Sequence, residues 1–398
     1  MSEWKKVRFL DVVHLNPRIS LEKGVEYPFV EMSNVVPCAR KPEKDVFKKY
    51  LGGGTKFEQG DTIVARIEPC LQNGKGFQCS YKQGFGSTEF LVFRPVNIND
   101  LDCDFLYYYM GQQSIREAMA KTMVGASGRQ RVNNKVFNDL QINLPPLSTQ
   151  HRIANILSRY DSLIENYQKQ IKLLEEAAQR LYKEWFIDLH FPGHENTKIV
   201  DGVPEGWERK KAFDFFEMSI GKTPPRTQKQ WFTECNNGIP WVSISDMKDA
   251  MFIQNTSEEL TPEACEKFNV KIVPKGTILL SFKLTIGRVA FAGADVCTNE
   301  AIAHFQKEGD EWKAYTLMYL RNYNYDSLGN TSGISKAVNS TIIKNMPFVM
   351  PCIPILQEYS QRVLPIIKQI ESLQSQLRLL AEARDRLLPK LMSGEITV

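Results

Sequence analysis

IKLLEEAAQRL at residues 171–181 returns 206 positions later as LRLLAEARDRL at 377–387. A chain holding two copies of one charged, leucine-rich segment has few architectures open to it, and the spacing of its apolar residues narrows them further. From Ile153 these residues step by four and three through Leu157, Tyr160, Ile164, Tyr167, Ile171, Leu174, Ala178, Leu181 and Trp185. That is the seam of a long amphipathic helix with a period of about 3.5 residues. The same offset lands on Tyr359, Val363, Ile366, Ile370, Leu373, Leu377, Leu380, Arg384, Leu387 and Leu391, apolar at every position but Arg384. Two helices with matched seams in one chain are expected to bury them against each other as an intramolecular coiled coil. An antiparallel, pseudo-two-fold pair avoids crowding the rest of the chain at one end, and its rod is about 48 Å long. Ser148 or Thr149 is the expected N-cap of the first helix, and Pro365 is expected to kink the second or delay its regular part. The charged residues Lys169, Lys172, Glu175, Glu176 and Arg180, and Arg378, Glu382, Arg384, Asp385 and Arg386, are assigned to the outer faces.

The repetition reaches beyond the helices. WKKVRFLDVV from Trp4 is echoed by WERKKAFDFF from Trp207, and YPFVEMSNV around Pro28 by IPWVSISDM around Pro240. GDTIVARI at Gly60 matches GTILLSFK at Gly276, STEF at Ser87 matches TNEA at Thr298, and SGRQRVN at Ser127 matches SGISKAVN at Ser332, in the same order. The chain therefore reads as one module used twice: a globular part at 1–145, a helical spacer at 146–189, a Gly- and Pro-punctuated linker at 190–206, a second globular part at 207–352 and a second helical spacer at 353–398. Short runs rich in Val, Ile, Phe and Thr, separated by glycine-containing turns, predict mainly-β globular parts. Helical pieces at 103–122 and 311–322 make each an α+β domain round a largely antiparallel sheet.

Composition excludes several classes. No run of about 18 apolar residues and no secretion signal is present, so a soluble, cytoplasmic protein is expected. Eight cysteines occur singly, without C-x-x-C pairs, and are read as buried thiols rather than a zinc site or disulfide framework. Net charge is only +4, but residues 38–82, 121–135 and 209–231 each carry a local excess of Lys and Arg, suited to a polyanion partner. There is no G-x-x-x-x-G-K-[ST] phosphate loop, no [DNS]-P-P-[YFW] tetrad, no clustered acidic metal site and no histidine with a convincing nucleophilic partner.

The helix entry LPPLSTQHRIANIL, its counterpart MPCIPILQEYSQRVL, the endings LYKEWF and LLPKLMSGEI, the linker VPEGW and the opening GKTPPR…IPWVSISDM resemble the specificity subunit of type I restriction-modification systems, over essentially the whole chain. The resemblance implies a non-catalytic protein with two target-recognition domains, each reading half of a bipartite site in double-stranded DNA. It also implies helical spacers that dock two methylation subunits and, where present, restriction subunits. No cofactor is expected in this chain; S-adenosylmethionine, ATP and Mg2+ are implied for the partners. A structural coiled-coil protein without DNA specificity is the alternative reading.

DNA-contacting candidates come from the aligned loops, where glycine lets backbone approach phosphate and Arg, Lys, Gln or Asn can read base edges. RIEPCLQNGKG parallels FKLTIGRV, which nominates Arg66, Gln72, Asn73 and Lys75 in the first copy and Lys283 and Arg288 in the second. SGRQRVN adds Arg129, Gln130 and Arg131, with Lys336 in its counterpart. GKTPPRTQKQW adds Lys222, Arg226, Gln228 and Lys229 on a loop stiffened by Pro224 and Pro225. No catalytic and no metal-binding residue is proposed.

Overall fold

The computed structural model describes residues 4–126, 130–233, 238–248, 250–328 and 338–398. Contacts divide the chain into two compact units, Met1–Asn166 with Arg378–Val398 and Tyr167–Leu377. Each unit holds one α+β domain and a stretch of each long helix.

In the first unit, the strands Val13–Leu15, Phe90–Pro95, Thr62–Ala65 and Gly76–Gln78 lie side by side in that order, all antiparallel. Alternation along these strands sends successive side chains to opposite faces. Ile63, Phe77 and Val92 enter one core with Val30, Val35, Phe57 and Phe90, while Val64, Leu91 and Phe93 enter a second with Phe9, Phe105, Leu106 and Phe137. The second core is covered by the helix Cys103–Gly111, which Asp102 caps by accepting from the Phe105 amide. This helix ends at Gln112, where the backbone turns extended, and a separate helix follows at Gln113–Ala120. A second sheet runs Phe47–Lys49, Glu26–Val30, Gln83–Gly86, Thr55–Glu58, with the two middle strands parallel. Pairing of Lys5–Arg8 with Gln141–Leu144 closes the domain just before the first long helix.

The second unit repeats this plan. Strands Glu217–Ile220, Ile302–Gln306, Ile278–Ser281 and Val289–Ala292 are antiparallel neighbours, and Phe252–Ile253 adds a parallel edge. Leu279 and Ile302 face one core, whereas Ile278, Leu280, Ala303 and Phe305 face the other, the same parity as in the first unit. The helix Lys313–Asn322 covers the latter core. Glu208–Lys211 pairs with Pro347–Met350 before the second long helix. Within the stretch read as a linker, a small hairpin joins Ile199–Val200 to Val203–Pro204, and Phe191 is buried.

The long helices differ in detail from expectation. The first spans Leu147–Tyr182 and continues as a π turn through Ile187. Ser148 and Thr149 therefore lie inside its first turn rather than capping it. The buried Gln150 organises the entry instead, donating to the carbonyls of Asp100 and Pro145 and accepting from the Asp102 amide. The second helix spans Ile353–Ser393 without interruption. Pro365 neither breaks nor delays it; Pro365 and Gln361 are both exposed, where water can accommodate the carbonyl that loses its partner.

Arg384 is not on an outer face: in the first unit it pairs with Asp161 at 2.8 Å, both side chains nearly buried. Glu175 pairs with Arg321 in the second unit. The cysteines also depart from a uniformly buried set. Cys79, Cys265 and Cys297 are buried, Cys70, Cys103 and Cys352 half-buried and Cys38 exposed, all as free thiols, while Cys235 lies outside the described residues.

Candidate nucleic-acid interface

In the first unit the chain leaves Thr62–Ala65, turns through 66–75 and returns along Gly76–Gln78. Leu71, fully buried, anchors the turn from inside. Lys75 is drawn into the fold, its Nζ donating to the Met32 carbonyl at 2.8 Å. Gln72 and Asn73 occupy the exposed tip, Gln72 donating to the Glu68 carboxylate at 2.6 Å.

Two loops nominated separately from the sequence come together here. Ile67 bridges to Arg131, the Val132 amide donates to the Arg66 carbonyl at 2.9 Å and the Glu68 amide to the Gln130 carbonyl at 3.4 Å. Glu89 completes the cluster, accepting from Arg131 Nε at 2.8 Å. That hydrogen bond, with the positive charge of Arg131 and Arg66, outweighs burial and holds the Glu89 carboxyl below its ordinary range. The half-buried Arg66 keeps its Nε without a partner among the described residues. Arg129 lies outside the described residues.

The second unit builds the equivalent hairpin between Ile278–Ser281 and Val289–Ala292. Arg288 is fastened at its base, donating to the Ile244 carbonyl at 2.6 Å, and Lys283 is exposed near the tip. The loop after Ile220 approaches from the side: the Lys222 amide donates to the Thr298 carbonyl at 2.9 Å, leaving the Lys222 side chain exposed. Arg226 donates to both oxygens of Glu258 at 2.8 Å and lies over the rings of Phe232 and Trp241, 4.3 and 4.5 Å from their centroids. Gln228 accepts from Trp231 Nε1 at 2.7 Å, and Lys229 is exposed. Lys336 lies outside the described residues.

Glu89 and Glu300 were not nominated, although STEF and TNEA place them in register. Burial pushes the Glu300 carboxyl up, but a hydrogen bond from the Thr223 hydroxyl and the charges of Lys283 and Arg226 more than offset it, leaving it below its ordinary range. Each copy thus sets one glutamate beneath its cations. Their sequence signal was the alignment itself; it was passed over because an anion beside a polyanion site is not an obvious choice.

Taken together, the elements define a duplicated recognition module: one framework built twice, with a differently furnished hairpin at the same place in each copy. Among the described residues no group of three or more His, Cys, Asp or Glu is placed to hold a metal ion, and no helix is long and apolar enough to cross a membrane. The chain belongs to the type I restriction-modification DNA specificity family, whose domain model matches residues 1–176 and again 204–381. It stands with the non-catalytic specificity subunits of such systems. It is 29% identical over 307 residues to the MjaIX specificity subunit of Methanocaldococcus jannaschii, covering 74% of this chain and 69% of the relative. It is 22% identical to the HindI specificity subunit of Haemophilus influenzae over the full length of both. The crystal structure of a type I S subunit from M. genitalium has the same fold, with a TM-score of 0.56 at 16% identity, covering 98% of this chain and 96% of that one.

Proposed function

We propose that this chain reads a bipartite site in double-stranded DNA, one half through residues 1–145 and the other through 207–352, while the helical spacers 146–189 and 353–398 dock methylation subunits, and restriction subunits where a system has them. One observation carries this reading. The hairpins after Ala65 and after Ser281 have the same framework but different tips, Gln72 and Asn73 in one and Lys283 in the other. A module that must read two different sequences with one scaffold needs this division between constant frame and variable tip. Gln and Asn are suited to adenine and Lys to guanine or phosphate.

The proposal keeps Arg66, Gln72, Asn73, Gln130 and Arg131, and Lys222, Lys229 and Lys283, as residues facing DNA. Lys75, Arg226, Gln228 and Arg288 hold the loops that present them. Most of the affinity comes from phosphate contacts and falls with salt. The chemistry belongs to the partners: S-adenosylmethionine for methylation, ATP and Mg2+ for cleavage, all in the cytoplasm. Exchange of residues 1–145 for the first domain of another family member, followed by methylome sequencing of the host, tests the reading. One half of the methylated motif is expected to change and the other to stay; a change in both halves, or in neither, overturns it.

A further inference from the structure

Leu284, at the tip of the second hairpin, is 99% exposed and has a left-handed backbone, with φ of 59°. A branched apolar side chain avoids both conditions. The loop beneath it is not slack. Phe282 is fully buried, and its amide donates to the Ala301 carbonyl at 2.9 Å. Ser281 Oγ donates to the Thr285 carbonyl at 2.6 Å and accepts from the Arg288 amide at 3.1 Å, so one hydroxyl clips both sides of the loop. Gly287, at φ of 89°, packs where a Cβ would stand 3.0 Å from the Tyr325 ring. A leucine held away from its own core by a braced loop is presented outward.

What it is presented to follows from its surroundings. Lys283 and Thr285 on either side are exposed. One apolar side chain beside a lysine does not amount to the contiguous apolar patch a stable protein partner needs. It does match an apolar wedge that slides between stacked bases while a neighbouring lysine holds the backbone. We propose that Leu284 inserts into a base step of the half-site read by residues 207–352, opening the stack there. The first copy has no such wedge: its tip carries Gln72 and Asn73, and its leucine, Leu71, is buried. The two half-sites are then read differently, one by hydrogen bonds and the other partly by the ease with which a step unstacks.

This inference rests on the DNA-reading function proposed above, and its test separates the two. The complex of the full chain with its methylation subunits is mixed with duplexes carrying the motif found by methylome sequencing. 2-Aminopurine is placed at successive positions of the half-site assigned to residues 207–352. With the native chain, fluorescence is expected to rise several-fold at the wedged step. Leu284→Asn, which suits the left-handed backbone and leaves the loop folded, is expected to abolish that rise and weaken binding roughly tenfold, with thermal stability unchanged or improved. Leu284→Met is expected to retain both. A rise that persists in the Asn variant belongs to a base extruded by the methylation partner and overturns the wedge. So does tight binding by the native complex with no rise at any position, or loss of subunit assembly by the Asn variant before DNA is added. If the native complex does not retain the duplex at all, the DNA-reading proposal itself fails, and the wedge with it.

Discussion

Asp61 and Arg94 show how one position in the repeated module can be filled by different chemistry. Asp61 is fully buried and takes two hydrogen bonds from Arg94, at 2.6 and 2.8 Å. The strand registers put Thr277 and Gln306 in the same places in the other copy, where Gln306 Nε2 donates to Thr277 Oγ1 at 3.3 Å. Removing the buried Asp61 carboxylate takes from Arg94 a bidentate, charge-assisted partner and leaves it only Glu58, whereas removing the neutral Thr277 hydroxyl costs its uncharged bonds to Gln306 and the Pro274 carbonyl. Asp61→Ala is therefore expected to cost about 3 kcal/mol and Thr277→Ala about 1 kcal/mol, measured by urea denaturation. Equal losses would contradict the assignment.

His304 gives the second copy a pH dependence of its own. Its ring nitrogens each lie 2.8 Å from a hydroxyl, of Ser219 and of Thr298, and burial, helped by the charge of Lys271, lowers its pKa to about 4. The unfolded chain, titrating near the ordinary 6.5, binds the proton first as pH falls. The stabilising effect of a neutral buried ring is thus present above pH 6.5 and lost progressively toward pH 4, by about 2 kcal/mol at pH 5. His304→Val, which copies Val92 at the matching register position, should flatten the decline in denaturation midpoint between pH 7 and pH 5. An unaltered slope would place the titration elsewhere. None of this was legible in the sequence, where five scattered histidines give no hint of which one a sheet will bury.

At the scale of elements, periodicity carried most of the information. A seam stepping by threes and fours is a geometric necessity of the helical backbone, and its residues are buried or half-buried. The Val-, Ile- and Phe-rich runs form strands such as Thr62–Ala65 and Ile278–Ser281, buried along their whole length. The failures came where a local rule met tertiary context. A serine or threonine before an apolar run suggested a cap, yet the entry is organised by Gln150 through partners some fifty positions away. A mid-helix proline suggested a late start, yet the helix begins at Ile353 and runs through Pro365. The one polar residue in the second seam was assigned to an outer face, yet Arg384 pairs with Asp161, which also accepts from the Tyr108 hydroxyl at 2.5 Å. Burial works against the Arg384 charge, but Asp161 and Asp385 raise its pKa above the ordinary value. Arg384→Leu completes the apolar seam on paper. It should instead destabilise by about 3 kcal/mol by leaving Asp161 buried without its countercharge. Asp161→Leu combined with Arg384→Leu should recover all but the 1–2 kcal/mol, roughly, of an unpaired tyrosine hydroxyl. A single variant as stable as the native chain, in a thermal melt, would show the pair to be dispensable.

For the whole molecule, the duplication reached further than any single motif. Ordered echoes in both copies made two domains of one topology the expected outcome, because a sequence repeat preserves the residues that build a frame. The same logic limits what an alignment says about the residues proposed to face DNA. Tips are where the copies diverge, so an alignment finds the loop without finding its occupants. It nominated Lys75 and Arg288, whose side chains hydrogen-bond to the Met32 and Ile244 carbonyls, and not the exposed Leu284, since an apolar residue in a sequence reads as core. Under the proposed function, two similar helical spacers would offer one kind of subunit two places to bind. The chain alone is therefore expected neither to methylate nor to cleave DNA, and to gain adenine methylation on binding two methylation subunits. Native mass measurement of the reconstituted assembly should give one copy of this chain with two of the partner. A fully active assembly containing a single partner would show that only one of the two spacers docks a subunit, and methyl transfer by the isolated chain would move the chemistry into a protein whose fold has been assigned only to reading.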